Sequence, residues 1–171
     1  MDSRELNNLK IEILKPDDVT IKYVNWFKSK DVIRYSDNQY RNFSLDTQKQ
    51  YVNSCLRDEN IELYGIFYNK KHIGNICING LKSYHSRAEI SYVIGDIAYW
   101  GKGIATYSVK YLIKKIGSKY SLKKFFANTS CENIGSNKVL LNAGFILEGI
   151  RKDHLLYNEK WQDQNEYGLL I

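Results

Sequence analysis

Hydrophobic and polar residues alternate from Leu9 to Leu14 (LKIEIL), the two-residue period of a half-buried strand. Past Pro16 the period becomes helical, with Val19, Tyr23, Trp26 and Phe27 on one side. Asp17 and Asp18 then fall in a first turn, where the helix dipole favours them. From Asp31 to Phe43 the chain is polar, aromatic and aperiodic, and reads as a loop. Asp46 is the expected cap of a second helix whose buried side would carry Tyr51, Val52 and Leu56. Two strand-like runs, Ile61 to Tyr68 and His72 to Asn79, flank a turn-like Asn69-Lys70-Lys71 and predict a hairpin. After a connection over Tyr84 to Arg87, Ala88 to Ile94 reads as a further strand. Ala88, Ile90, Tyr92 and Ile94 share one face, and Glu89, Ser91 and Val93 share the other.

A glycine-bearing turn follows, then an amphipathic helix. Ala105, Val109, Leu112, Ile113 and Ile116 mark its buried side, and Lys110, Lys114 and Lys115 its solvated side. Phe125 to Thr129 predicts a strand, and Asn133 to Asn142 a short helix stopped by Gly144. Phe145 to Ile150 and Trp161 to Leu170 predict two closing strands with a loop between them. Hairpin-type strands come first and strand–helix–strand units later. The fold class is therefore α/β in the α+β sense, a mixed sheet with helices on its faces.

The 171 residues suit one domain over 1–171, long enough to bury a core without disulfide or metal staples. No apolar run approaches the roughly 18 residues that span a bilayer, so no membrane partner is expected. The opening MDSRELNNLK is too polar for a signal peptide. Cys55, Cys77 and Cys131 are odd in number and far apart. They show no metal spacing and no disulfide framework, and a cytoplasmic location follows from that usage. The net charge of +6 favours an anionic partner such as a phosphorylated cofactor. Lys and Arg are scattered rather than clustered, which counts against nucleic acid.

The informative stretch is Trp100-Gly101-Lys102-Gly103-Ile104-Ala105-Thr106, between a strand and a helix. Two glycines let the main chain approach a bulky group closely, and the first-turn N–H groups of the helix face outward. Such a turn suits a pyrophosphate, with Lys102 adding a mobile charge. The nucleotide phosphate loop is excluded by spacing, and the dinucleotide fingerprint lacks its third glycine, since position 106 is Thr106. A second pattern, Asn133-x-x-Ser136 followed by Val139-Leu140 and Gly144-Phe145, lies about 30 residues on. By itself it reads as a helix cap at Asn133 and a polar surface residue at Ser136.

In this order and spacing, the two patterns resemble the GCN5-related N-acetyltransferase family. That family's acetyl-CoA motif is Q/R-x-x-G-x-G/A, against Trp100-x-x-Gly103-x-Ala105 here, with Trp in place of Gln or Arg. The W-G-K-G-I-A-T form, Glu148-Gly149 and Trp161-Gln162-Asp163 are similar to the branch of ribosomal-protein alanine acetyltransferases, and the likeness runs from about residue 9 to 170.

The resemblance implies a twisted, largely antiparallel sheet with helices on both faces, two central strands of which splay to admit the pantetheine arm of acetyl-CoA. It implies that Gly101, Lys102, Gly103, Ile104, Ala105 and Thr106 hold the pyrophosphate. Ile94, Gly95, Asp96 and Ile97 would pair with pantetheine like an added strand, and Asn133 and Ser136 would contact the cofactor. It implies direct acetyl transfer to an amine, with Glu89 as the base and an N–H near Ile94 facing the oxyanion; a structural salt bridge is the alternative role for Glu89. The Tyr that many relatives place seven residues after the motif Asn, as acid for the thiolate, is Leu140 here. Trp26, Arg34 and Tyr35 are the candidate acceptor-binding residues, since aromatics stack on sugars and arginines clamp phosphate. The acceptor expected first is an amino sugar, nucleotide-linked ones included; protein N-termini, polyamines and antibiotics follow. A catalytically silent acyl-CoA-binding module stays open. A monomer or homodimer is expected, and no metal.

Overall fold

The structure, a computed structural model, describes residues 8–171. Strand β1 (Leu9–Ile13) is followed by a 3-10 turn at Pro16–Asp18 and helices α1 (Ile21–Trp26), α2 (Lys30–Ile33) and α3 (Leu45–Arg57). Then come β2 (Ile61–Tyr68), β3 (Lys71–Asn79) and β4 (Arg87–Ile94), helix α4 (Ile104–Tyr120), β5 (Lys124–Ser130), helix α5 (Ile134–Ala143), β6 (Ile146–Tyr157) and β7 (Lys160–Leu170). The seven strands form one sheet in the order β1-β2-β3-β4-β5-β7-β6, and only β4 and β5 run parallel.

The strand alternation sorts two cores onto the two faces. Ile76, Ile78, Ala88 and Ile90 pack with Val109, Leu112 and Ile116 of α4 and with Leu140 of α5. Leu63 packs on the opposite face with Tyr23, Trp26 and Phe27 of the α1 region and Val52 and Cys55 of α3. Ile76, Ile78 and Ile116 are fully buried. Each such side chain contributes roughly 1.5–3 kcal/mol of transfer free energy.

Four local expectations change. Asp31 to Phe43 is not a plain loop, because it holds α2 and a 3-10 turn at Asp37–Tyr40. The Ser36 hydroxyl, which accepts from the Asn38 amide at 3.2 Å, caps that turn. Helix α3 is capped by Ser44 in a reciprocal pair with Thr47, so Asp46 lies in its first turn instead. Its buried stripe is Gln48, Val52 and Cys55, while Tyr51 and Leu56 are exposed. Those two sit one position off the stripe, about 100° around the helix. The final loop also shrinks. Strand β6 runs on to Tyr157, and the hairpin turns on Asn158 and Glu159, both at positive φ.

Candidate active site

Strands β4 and β5 pair at only three positions, Arg87 with Lys124, Ala88 with Phe125 and Glu89 with Phe126. Both strands continue beyond that point with different partners, β4 with β3 and β5 with β7. A wedge-shaped gap therefore opens in the middle of the sheet. The Gly95 amide donates to the Ile73 carbonyl at 2.9 Å, which fixes the phase of the antiparallel β3–β4 ladder. Val93, Ser91 and Glu89 direct their main-chain groups to β3. Ile90, Tyr92 and Ile94 direct theirs into the gap.

The end of β4 departs from the expected pairing edge. Gly95 and Asp96 both commit their amides to Ile73 O, and the Ile94 carbonyl accepts from Trp100 Nε1 at 2.7 Å. The open donors thus lie at Ile94 and earlier, not at Gly95 and Asp96. Gly95 serves packing: a Cβ there would lie 1.9 Å from a ring carbon of Trp26. Asp96 is ion-paired with Lys22 at 2.6 Å, and Ile97 opens a 3-10 turn over Ile97–Tyr99.

That turn delivers the chain to the glycine bend. Gly101 and Gly103 have φ of +72° and +76°, values that a side chain disfavours, and Gly103 is the N-cap of α4. Among the described residues, no backbone hydrogen bond outside the regular elements is donated by an amide from 101 to 106. A Cβ on Gly101 would meet nothing within 4 Å. The bend is thus an open cluster of main-chain donors at the positive end of a 17-residue helix, the arrangement that binds anions. Lys102 is exposed, with its ammonium 5.2 Å from the Tyr99 ring centroid. Ile104 is buried in the core, and Ala105 and Thr106 are partly buried.

Across the gap, Asn133 is the N-cap of α5, its side-chain oxygen accepting from the Ser136 amide at 3.1 Å. The Ser136 hydroxyl is 2.8 Å from the Tyr92 hydroxyl of β4, so strand and helix are bridged. Asn137, absent from the expected site, holds this corner in place. Its amide donates to the carbonyls of Ser130, Cys131 and Asn133, and its oxygen accepts from Asn165 and Tyr167. Leu140 is in the core at 1% exposure, far too buried for a hydroxyl there to go unnoticed by its apolar neighbours.

Glu89 sits where the two strands part. Among the described residues no ion pair or hydrogen bond involves its side chain, and burial pushes its carboxyl above the ordinary glutamate range. The salt bridge weighed as the alternative role for Glu89 is therefore not formed. Phe126 pairs beside Glu89, and Asn128 and Glu166 follow on the same face by strand alternation. Glu166 is taken by Arg151.

Of the three expected acceptor residues, Arg34 and Tyr35 lie together and Trp26 is buried. Trp26 is 4% exposed, in edge contact with Tyr23 and His72, so it is core and not a free stacking platform. Arg34 stacks over Tyr35 at 4.8 Å in the α2 region. That region leans on the β6–β7 hairpin: Tyr40 donates to the Leu156 carbonyl, and Tyr157 donates to Asp37 at 3.1 Å.

Comparison with known proteins decides the class. Residues 8–146 match the family described as acetyltransferase (GNAT) domain. The chain belongs to this family. It is an acetyl-CoA-dependent N-acetyltransferase of the GNAT type. It is 29% identical to the ribosomal-protein-serine acetyltransferase of Escherichia coli over 148 residues, 84% of this chain and 82% of that protein. Its fold is similar to a ribosomal L7/L12 alpha-N-protein acetyltransferase bound to coenzyme A, with a TM-score of 0.85 and 21% identity over 96% and 94% of the two chains. It is also similar to a spermidine N-acetyltransferase from Vibrio cholerae in complex with CoA and spermine, at a TM-score of 0.83 and 19% identity over 96% of each. Within the GNAT frame, the unclaimed amides of 101–106 and the parted strands fit a long cofactor carrying a diphosphate. Among the described residues no helix is long and apolar enough to cross a membrane. No cluster of three potential metal ligands occurs among them either.

Proposed function

We propose that this GNAT enzyme acetylates the α-amine of a protein N-terminus, with Glu89 as base. In this reading the pyrophosphate of acetyl-CoA rests on the amides of Gly101 to Thr106, and the pantetheine arm lies in the gap against Ile90, Tyr92 and Ile94. The observation that carries it is the separation of β4 from β5 directly after Glu89, beside unclaimed amides.

The chemistry then assigns each group a task. The amine nitrogen attacks the thioester carbonyl carbon, and a C–N bond forms. Glu89 accepts the N–H proton, directly or through a water, which its uncommitted and half-buried carboxylate suits. The Ile94 N–H faces the oxygen that gains the carbonyl electron pair. The C–S bond breaks, its electron pair leaves on sulfur, and the thiolate takes a proton. Ser136 stands across the gap as the donor that Leu140 is not.

An α-amine titrates near 7.7–8.0, whereas an alkyl amine such as lysine titrates near 10.4. A carboxylate base has less work with the former. The net charge of +6 and the pairing of Glu166 with Arg151 also give a polycation little to hold. The Escherichia coli relative is named for a ribosomal-protein serine. The amino sugar expected first gains no support from the relatives and neighbours above, whose names give proteins and polyamines.

The test is thiol release from acetyl-CoA with Ser- and Ala-terminal peptides, spermidine and a nucleotide-linked amino sugar. Release with the free peptides and none with N-blocked copies is expected. Release with spermidine or the amino sugar alone overturns the acceptor, and tight CoA binding with no release overturns the enzyme.

A further inference from the structure

The contact between Tyr92 and Ser136 has a direction that the hydrogens decide. Tyr92 lies on the β4 face that also carries Ala88, Ile90 and Ile94, and its ring reaches the first turn of α5. Its oxygen is 2.8 Å from Ser136 Oγ and 3.1 Å from the Ser136 carbonyl oxygen. A phenol has one proton and a serine hydroxyl has one, so two patterns exist. In the first, the phenol donates to the carbonyl and Ser136 donates to the phenol oxygen, which spends the serine proton inside the bridge. In the second, the phenol donates to Ser136 Oγ, and the serine proton is free to point into the gap.

We propose that Tyr92 is a positioning residue that switches from the first pattern to the second as the C–S bond breaks, and so frees the Ser136 proton for the departing sulfur. This rests on the reading of the gap given above.

A thiolate is a charged acceptor, and hydrogen bonds to charged acceptors are roughly twice as strong as neutral ones. Charge on sulfur therefore pulls the Ser136 proton towards the gap, and the phenol follows by turning to Oγ. The proton count balances: sulfur keeps the C–S electron pair and gains a hydrogen bond from the Ser136 hydroxyl, Oγ accepts from the phenol, neither hydroxyl loses its proton, and solvent protonates the thiolate as the resting pattern returns. Burial pushes the Tyr92 hydroxyl well above its ordinary range, so it stays protonated and brings a donor at any working pH. Two elements hold the geometry. Asn137 fixes the start of α5 to β5 and β7, and Asn133 caps the amide of Ser136. In this way the chain meets the need left by Leu140 with two hydroxyls from different elements.

The test needs no knowledge of the natural acceptor. Coenzyme A is titrated on the full chain, and the thiolate absorbance of the bound thiol is followed with pH for wild type, Tyr92→Phe, Ser136→Ala and the double variant. Turnover of acetyl-CoA with the best amine of the panel is measured alongside. Tyr92→Phe keeps the ring, and a thermal melt verifies its folding. In Tyr92→Phe the Ser136 Oγ loses the phenol proton that strengthens it as a donor, so the bound thiol is expected to titrate about one unit higher than in wild type, a tenfold change. Turnover should fall about tenfold at unchanged KM for acetyl-CoA, and Ser136→Ala should lose at least as much. The double variant should match Ser136→Ala, because residues acting as one unit are not additive. A wild-type thiol titration and turnover in Tyr92→Phe, or losses that multiply in the double variant, overturns the inference. Failure of wild type to bind coenzyme A would instead remove the cofactor reading beneath it.

Discussion

The side proposed for the cofactor and the side proposed for the acceptor are built from different materials. On the proposed cofactor side, the main chain presents the open groups: a bend with two positive-φ glycines, and a strand edge left without a partner. On the proposed acceptor side, irregular side chains meet. Tyr40 and Tyr157 stitch the Asp37–Tyr40 turn to the β6–β7 hairpin, and Glu89 waits without a countercharge between the two sides. Main-chain recognition tolerates changes in side chains but not in backbone torsion. Side-chain recognition behaves the other way, which is why one fold accepts many amines while keeping one thioester.

That contrast is open to attack by substitution. The largest effect belongs to the residue between the two regions. Glu89→Gln should cut turnover about 10²–10³-fold and leave both KM values nearly unchanged. In wild type the rate should fall as pH drops through the raised Glu89 titration, and the variant should lack that acid limb. Stability runs in the opposite sense. A carboxyl whose folded titration lies above its unfolded one favours folding while protonated, and that contribution is lost as pH rises through the folded value. At neutral pH the ionised, unpaired Glu89 is therefore a cost, so Glu89→Gln should melt no lower than wild type.

Next in size is Gly101→Ala. Its Cβ meets no atom within 4 Å, so only the torsion at φ +72° is at stake. A cost of about 1–2 kcal/mol for that conformation should raise KM for acetyl-CoA about tenfold, with the acceptor KM unmoved. The smallest effect is expected from Tyr157→Phe, which removes one hydrogen bond to Asp37. A loss near 1 kcal/mol should raise the acceptor KM by about threefold to fivefold and leave acetyl-CoA untouched. Steady-state kinetics with each substrate varied in turn measures both.

The same contrast explains how much the sequence discloses. Backbone devices leave compact signals. Gly101 and Gly103, the cap at Asn133, the stop at Gly144 and the two faces of β4 are all visible as residue types at fixed spacing. Long-range side-chain geometry leaves none. The stripe on α3 shifted because Gln48, a polar residue, is buried while Tyr51 is not. Trp26 reads both as part of a helical stripe with Tyr23 and Phe27 and as an acceptor-stacking residue, and only the room that Gly95, far along the chain, makes for its ring decides for the core. Strand β6 looks short because Arg151, Lys152 and Asp153 interrupt its apolar pattern. Ion pairs to Glu166 and Asp163 keep Arg151 and Lys152 in the hairpin. The pairing of Tyr92 with Ser136 spans 44 residues, and the parting of β4 from β5 is a property of registers, so neither has a local signature.

The most direct measurement is amide hydrogen exchange with and without coenzyme A. The account predicts new protection confined to the amides of 101–106 and to the gap-facing edge of β4 at Tyr92 and Ile94, with none over the Asp37–Tyr40 turn or the hairpin tip. Protection appearing at that turn and tip while 101–106 exchange as fast as before would contradict it.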